Sequence, residues 1–233
     1  MVNTLQINQP VCPDDHFLRF DDWEGTFKSP MHHSKSPDKA PCFLADLRKP
    51  GSDVQVVVKF IYKFSGTYGK ATHDYLHSLG LAPRLYSVMD LHHGLVMVVI
   101  EYLSFQEGIG GWVELDTFEA KLGDMADPVR KKLEAIIGHL QARQMVHADL
   151  RPRNIMVKVD GQRQMVTSGS EPVLSLIDFD WAGVVGEACY PPFLNHCIRW
   201  PAGAEGYKKV GRDDDRALLD NWWGAFVSKS SLV

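Results

Sequence analysis

Apolar and polar positions alternate along residues 54–61, Val-Gln-Val-Val-Val-Lys-Phe-Ile, with the period of two that marks a β-strand. Val54, Val56, Val58 and Phe60 fall on one face, and Gln55, Val57 and Lys59 on the other. A second β-rich run, residues 42–47, precedes it across the turn cluster Lys49-Pro50-Gly51-Ser52-Asp53, so the two runs are predicted to pair as an antiparallel hairpin. The period then changes. Tyr68, Thr72, Tyr75, Leu76 and Leu79 recur at helical spacing, with Thr67 as N-cap and Gly80 and Pro83 as stop signals. Residues 84–90 and 94–103 read as two more strands. Gly108, Gly110 and Gly111 make residues 106–111 a loose hinge.

Beyond the hinge, Asp127-Pro128 opens the clearest helix, an N-cap followed by proline at the first helical position. Val129, Leu133, Ile136, Ile137 and Leu140 form its apolar stripe. Residues 155–159 and 173–177 read as strands, and residues 213–226 as one further helix whose start, Asp213-Asp214-Asp215, is expected to be solvated because acids favour that end of the helix dipole. Residues 1–40 show no firm periodicity. They are expected to be an irregular arm anchored by Phe17, Phe20, Trp23 and Phe27. The organisation expected is therefore an arm over 1–40, a small β-rich lobe over 41–105 and a second lobe over 106–233.

Composition narrows the class. A chain of 233 residues with 45% hydrophobic and 23% charged residues is long enough to bury a substantial core and reads as globular. Its net charge of -4 supplies no general attraction to nucleic acid or an anionic membrane, and neither is an expected partner. The four cysteines are scattered without a C-x-x-C pair, so neither a zinc site nor a redox motif is suggested. The adjacent His32 and His33 lack further spaced ligands. The first ten residues lack a basic segment followed by an apolar run, and the most apolar run, 94–103, is short for a bilayer and carries Glu101. An intracellular, cytoplasmic protein is expected.

The candidate chemistry begins at His147-Ala148-Asp149-Leu150-Arg151-Pro152-Arg153-Asn154. Pro152 excludes helix interior, so an imidazole, a carboxylate, a guanidinium and a carboxamide are displayed on one loop. A buried strand downstream ends in Asp178-Phe179-Asp180. The ordered set is Lys59 on a strand, Glu101 at a strand end, Asp149 and Asn154 on a loop, and Asp178 after a strand.

This set resembles the protein-kinase-like family, whose signatures include a strand lysine, a His-x-Asp-x-x-x-x-Asn catalytic loop and an Asp-Phe-Gly metal site. Val57-Val58-Lys59-Phe60, the loop 147–154 and Ile177-Asp178-Phe179-Asp180-Trp181-Ala182-Gly183 carry the match, over roughly residues 40–190. In motif style the chain is most similar to fungal-type kinase-like proteins and aminoglycoside-type phosphotransferases. The resemblance implies an α+β, bilobal protein-kinase-like fold with a small antiparallel β-lobe and a shortened, mainly helical C-terminal lobe. It also implies ATP and Mg as cofactors, with Lys59 on the α- and β-phosphates and Asn154 and Asp178 on the metal. Asp149 would orient the acceptor hydroxyl and Arg151 would hold the transferring phosphoryl charge. Val57 and Ile100 would border the purine, and the backbone at Glu101 and Leu103 would pair with the base. His147 is assigned to supporting the loop.

The function implied is γ-phosphoryl transfer from ATP to a hydroxyl on a protein or small molecule. The pattern departs from the family in places. No G-x-G-x-x-G precedes the lysine strand, and Glu24-Gly25-Thr26-Phe27 is the nearest glycine turn. The helix after the lysine strand offers Asp74 as its only acid. Ala148 replaces the arginine that links this loop to a phosphorylated segment, and Asp180 replaces the glycine of the metal motif. These departures leave open a second reading, a pseudokinase acting as a non-catalytic binding or scaffold module.

Overall fold

The computed structural model describes residues 17–31, 41–62, 68–91, 94–118 and 122–229. The chain divides into two compact units, Met1–Tyr62 with Leu85–Tyr102, and Lys63–Arg84 with Leu103–Val233. No helix among the described residues is long and apolar enough to cross a membrane.

The first unit is a six-stranded antiparallel sheet made of β1 (Phe17–Phe20), β2 (Trp23–Pro30), β3 (Cys42–Lys49), β4 (Ser52–Tyr62), β5 (Leu85–Asp90) and β6 (Leu95–Glu101). Its strand order is β1-β2-β3-β4-β6-β5. The predicted hairpin is present, with Lys49 opposite Ser52 across Pro50-Gly51 and Cys42 opposite Lys59. One face of β4 buries Val56 and Val58 against Ala45, Leu47, Met97 and Val99, while Val57 and Lys59 on the other face stay partly exposed. The alternation read from the sequence therefore sets the sheet's inner face, because a half-buried strand must keep its apolar set on one side.

The N-terminal stretch differs from the irregular arm expected. Residues 17–30 fold as a hairpin, with Phe20 paired to Trp23 around Asp21-Asp22 and β2 paired to β3. Leu18, Phe20 and Trp23 join the sheet's core, and Trp23 meets Tyr86 edge-on at 5.5 Å. Phe20, Trp23 and Phe27, three of the aromatics that suggested an anchor, pack on the inward face of the sheet.

The second unit begins with α1 (Lys70–Ser78), followed by β7 (Phe105–Gln106), β8 (Gly110–Glu114), α2 (Ala126–Ala142) and β9 (Met145–Val146). It continues through β10 (Ile155–Asp160), β11 (Thr167–Ser168), β12 (Glu171–Pro172), β13 (Leu174–Leu176), β14 (Gly183–Val184) and α3 (Asp214–Lys229). This unit mixes its helices with a four-stranded sheet in the order β13-β10-β8-β7, where a mainly helical lobe was expected. All five residues of the predicted α2 stripe are buried, worth roughly 1.5–3 kcal/mol per large side chain.

Two sequence expectations change here. Residues 106–111 are a tight β7–β8 hairpin and not a loose hinge: Gly111 has φ 140°, and a Cβ there would lie 2.1 Å from the Ser104 carbonyl oxygen. The glycine is required by close backbone approach. The predicted first lobe also included α1, which instead packs within the second unit. The Gly69 N–H donates to the Phe179 carbonyl at 3.0 Å and the Leu176 N–H to that of Leu81 at 2.8 Å, so hydrogen bonds at both ends of the helix tie it there. The observed N-cap is Gly69; Thr67, the cap expected, lies outside the described residues.

Candidate active site

Two crossed strand pairs assemble the site in the second unit. The loop 147–154 joins β9 to β10, and residues 177–182 join β13 to β14. Because β10 pairs with β13 and β9 with β14, both ends of one connection are stitched to both ends of the other. The Ile177 N–H donates to the Asn154 carbonyl at 3.0 Å. Local pattern alone gives two polar loops; the pairing brings them together.

Asp149 is only 3% exposed. Arg151 closes a two-pronged contact on it, Nε to Oδ1 at 2.6 Å and Nη2 to Oδ2 at 2.7 Å, the fork geometry that makes arginine–carboxylate bonds strong. Asn154 Nδ2 donates to Asp149 Oδ2 at 2.7 Å and to the Asp149 carbonyl at 2.9 Å. Burial pushes the Asp149 carboxyl up to about 7, with Asp178 adding to the rise and Arg151 and Asn154 working against it. A carboxyl that titrates near neutrality is suited to accepting a proton from a hydroxyl.

The loop is gripped from α3. Asp215, 1% exposed, accepts the His147 N–H at 2.7 Å and the Ala148 N–H at 2.8 Å, one on each carboxylate oxygen. Burial raises its pKa to about 6, and these two bonds oppose the rise. Ala148 sits at φ 67°, a left-handed conformation unfavourable for a residue with a Cβ, and its bond to Asp215 holds it there. Trp222 Nε1, further along α3, donates to the Leu150 carbonyl at 2.9 Å. The triple-aspartate start of α3 is thus not uniformly solvated, as the sequence suggested. A signal was present: Asp215, Leu218, Leu219, Trp222, Trp223 and Phe226 share one helical stripe, which marks Asp215 as inward-facing.

His147 supports the loop from within. Its Nε2 pairs with the Ile177 carbonyl at 3.0 Å and its Nδ1 accepts the Asp149 N–H at 3.3 Å, so the Nε2–H tautomer satisfies both. Burial drives its pKa down to about 4. Asp178 is also left-handed, at φ 68°, a strained geometry that tends to occur at functional sites. Next to it, Phe179 stacks on His73 at 4.3 Å and 15° and meets His147 at 5.0 Å. His73 is pinned by Tyr68 Oη at 2.6 Å and the Pro83 carbonyl at 2.9 Å, and burial lowers its pKa to about 4. The chain His73–Phe179–His147, read along the sequence as unrelated residues, links α1 to both loops.

Lys59, Val57, Ile100 and Glu101 lie in the first unit, and Leu103 begins the longer of the second unit's two segments. Val57 is directly opposite Ile100, and Lys59 lies between Cys42 and Val98; Val57, Ile100 and Lys59 are all partly exposed. The Tyr102 N–H is spent on the Gln55 carbonyl at 3.1 Å. Gly25 is not in a turn. It lies inside β2, opposite Leu18 and Leu47. Asp74, the acid of α1, accepts from Lys70 Nζ at 2.5 Å.

An antiparallel sheet carrying Lys59 and a second unit in which the loops 147–154 and 177–182 are held together by strand pairing make up a kinase-like fold. Among solved structures the chain is similar to the kinase PK-1 of Cydia pomonella granulovirus, with a TM-score of 0.54 and 14% identity over 88% of this chain and 68% of that one. At that identity the likeness is one of fold. No protein-family model matches the chain, and no curated protein matches it.

Proposed function

We propose that the chain is an ATP- and magnesium-dependent phosphotransferase that moves the γ-phosphoryl group to a hydroxyl on a protein or small molecule. The observation that carries this reading is Asp149, a buried carboxyl raised to about 7 and aligned by Arg151 and Asn154 on a loop that Asp215 clamps. In the proposed step the acceptor oxygen forms the new P–O bond, its proton passes to Asp149, and ADP leaves with the electrons of the broken bond. Positioning and charge stabilisation account for most such catalysis. Arg151 is assigned the transferring charge, Lys59 the α- and β-phosphates, Val57 and Ile100 the purine, and the backbone at Glu101 and Leu103 the base edge.

The donor set fits magnesium. Asn154 uses its Nδ2 end for both bonds to Asp149, so its carboxamide oxygen is the end that would join Asp178 on a cation. Mg binds through one or two protein oxygens with phosphate and water making up the rest. The metal's contribution is to neutralise phosphate charge.

The test is magnesium-dependent transfer or ATP hydrolysis by the purified chain, expected in the wild type and lost in Asp149→Ala. A thermal-shift titration should show stabilisation by Mg–ATP, approaching roughly 3 kcal/mol at a hundredfold excess over Kd. The second reading, a pseudokinase, is favoured by one observation, the use of Asp74 by Lys70, which takes up the only acid α1 carries. Turnover abolished by Asp178→Asn would exclude it. Asp180 in place of the motif glycine is the feature that favours an aminoglycoside-type branch.

A further inference from the structure

Gly69 stands where a helix ordinarily carries a capping side chain. It is the N-cap of α1 and makes no side-chain bond, although Ser, Thr, Asp or Asn at that position would satisfy one of the first amides of the helix. Its backbone does not demand glycine. With φ -70° and ψ 51° and the Lys70 N–H on the Tyr68 carbonyl at 2.6 Å, it is the centre of an inverse γ-turn, a conformation open to residues with side chains. Space demands it. A Cβ at this position would lie 2.5 Å from the Ala182 carbonyl oxygen and 2.6 Å from the Ala182 Cβ, so the main chain at the start of α1 lies directly against residues 179–182.

That contact bears on Asp178. The Gly69 N–H donates to the Phe179 carbonyl at 3.0 Å, and the Ala182 N–H reaches the same oxygen at 3.3 Å. From the other side, His147 Nε2 pairs with the Ile177 carbonyl at 3.0 Å, and the Ile177 N–H donates to the Asn154 carbonyl at 3.0 Å. The residues flanking Asp178 are thus held by two separate elements, α1 and the loop 147–154. Asp178 itself has φ 68°, and a residue with a Cβ stays in that region only where its surroundings over-determine it. His147 supplies one half of that constraint and Gly69 the other. The only acid of α1, Asp74, accepts from Lys70 Nζ at 2.5 Å. What α1 gives the loop is a backbone donor at Gly69 and the ring of His73 stacked on Phe179 at 4.3 Å.

We propose that Gly69 is a positioning residue for the metal carboxylate. Having no side chain, it lets the start of α1 bind the backbone beside Asp178, and this sets where that carboxylate stands relative to Asn154. The metal role of Asp178 rests on the phosphotransferase reading; the backbone brace does not. Groups that orient a metal ligand from behind influence affinity strongly even though they never touch the ion. Gly69 would act in that way through the Phe179 carbonyl.

The test is manganese(II) binding by the full chain in saturating ADP, read by electron paramagnetic resonance, together with amide hydrogen exchange. The wild type should bind the ion. Gly69→Ala, measured well below its melting temperature, should bind it about tenfold more weakly and should exchange faster at the Ile177 and Ala182 amides, with the amides of α2 unchanged. Leu133→Ala, which removes a fully buried side chain from α2 and also lowers the melting temperature, should keep wild-type manganese affinity. Should Gly69→Ala fail to fold, the wild type decides: manganese with ADP should slow exchange of the Gly69 amide, because binding that depends on the brace must in turn strengthen it. Wild-type affinity in Gly69→Ala, an equal loss in Leu133→Ala, or a Gly69 amide indifferent to manganese and ADP would overturn the proposal and leave the phosphotransferase reading standing. No manganese binding by the wild type, with faster exchange at Ile177 and Ala182 in Gly69→Ala, would retain the brace and remove that reading.

Discussion

Asp215 and Ala148 stand 67 positions apart and are joined by a 2.8 Å hydrogen bond that holds a left-handed alanine in place. The same carboxylate takes the His147 N–H at 2.7 Å. A buried amide left without an acceptor costs about 1–3 kcal/mol. Asp215→Ala strands two of them, so a loss of roughly 2–6 kcal/mol in urea unfolding is expected. Hydrogen exchange at the His147 and Ala148 amides should speed up more than at α2. Unchanged protection of those two amides would contradict the clamp. Trp222→Phe, which keeps a ring but removes the donor to Leu150, should cost only about 1 kcal/mol.

In the proposed reaction, phosphoryl transfer should rise with pH through about 7, the value to which burial pushes the Asp149 carboxyl, because the ionised form would be the proton acceptor. Arg151 lowers that value. Arg151→Gln should therefore move the inflection of the pH–rate profile upward as well as reduce the rate. An inflection that moves downward, or stays put, contradicts the assignment.

Acid stability should expose the buried imidazoles. His73 and His147 are held near 4 by burial, below the ordinary value of 6.5, so the unfolded chain takes up protons first. Folding stability contributed by each is present above about 6.5 and is lost as pH falls toward 4, at up to about 1.4 kcal/mol per pH unit. Asp149 and Asp215 have raised values and act oppositely, losing stability as pH rises from 3.8 toward 7 and 6. The comparison of His73→Phe with wild type isolates one imidazole: the variant, which keeps a ring against Phe179, should lose less stability between pH 6.5 and 4.5.

One hairpin holds a contrast between two glycines. Gly111 has φ 140° and no space for a Cβ beside Ser104, whereas Gly108 has φ 77° and nothing within 4 Å. Gly111→Ala should cost about 3 kcal/mol or more, by strain and clash together, and Gly108→Ala about 1 kcal/mol from backbone strain alone. Thermal melts of the two variants measure the difference; equal shifts would mean that close approach does not matter there.

Much of the molecule was legible along the chain. The alternation over residues 54–61 placed Val56 and Val58 inward, and the stripe of α2 was read residue by residue, because both depend on a period that burial of one face imposes. The polar loop 147–154 was legible as displayed chemistry through Pro152. The hairpin of residues 17–30 was harder, since its two strands are short and their alternation is only a few residues deep. The glycines at 108–111 were misread because a hinge and a tight hairpin need the same residue type, and only the neighbour of each missing Cβ separates them.

The sequence by itself determined the hairpin of β3 and β4, the three helices and which residue types could serve phosphoryl chemistry, because periodicity and donor chemistry are properties of short stretches. Only the tertiary structure decided that β9–β14 and β10–β13 pairing brings the Asn154 and Asp178 loops together, that α1 packs within the second unit through His73 and Phe179, and that Asp215 of the three consecutive aspartates is the one buried on the Asp149 loop. Those outcomes depend on hydrogen bonds between positions tens of residues apart. Local pattern carries no information about which buried amide a distant carboxylate will satisfy.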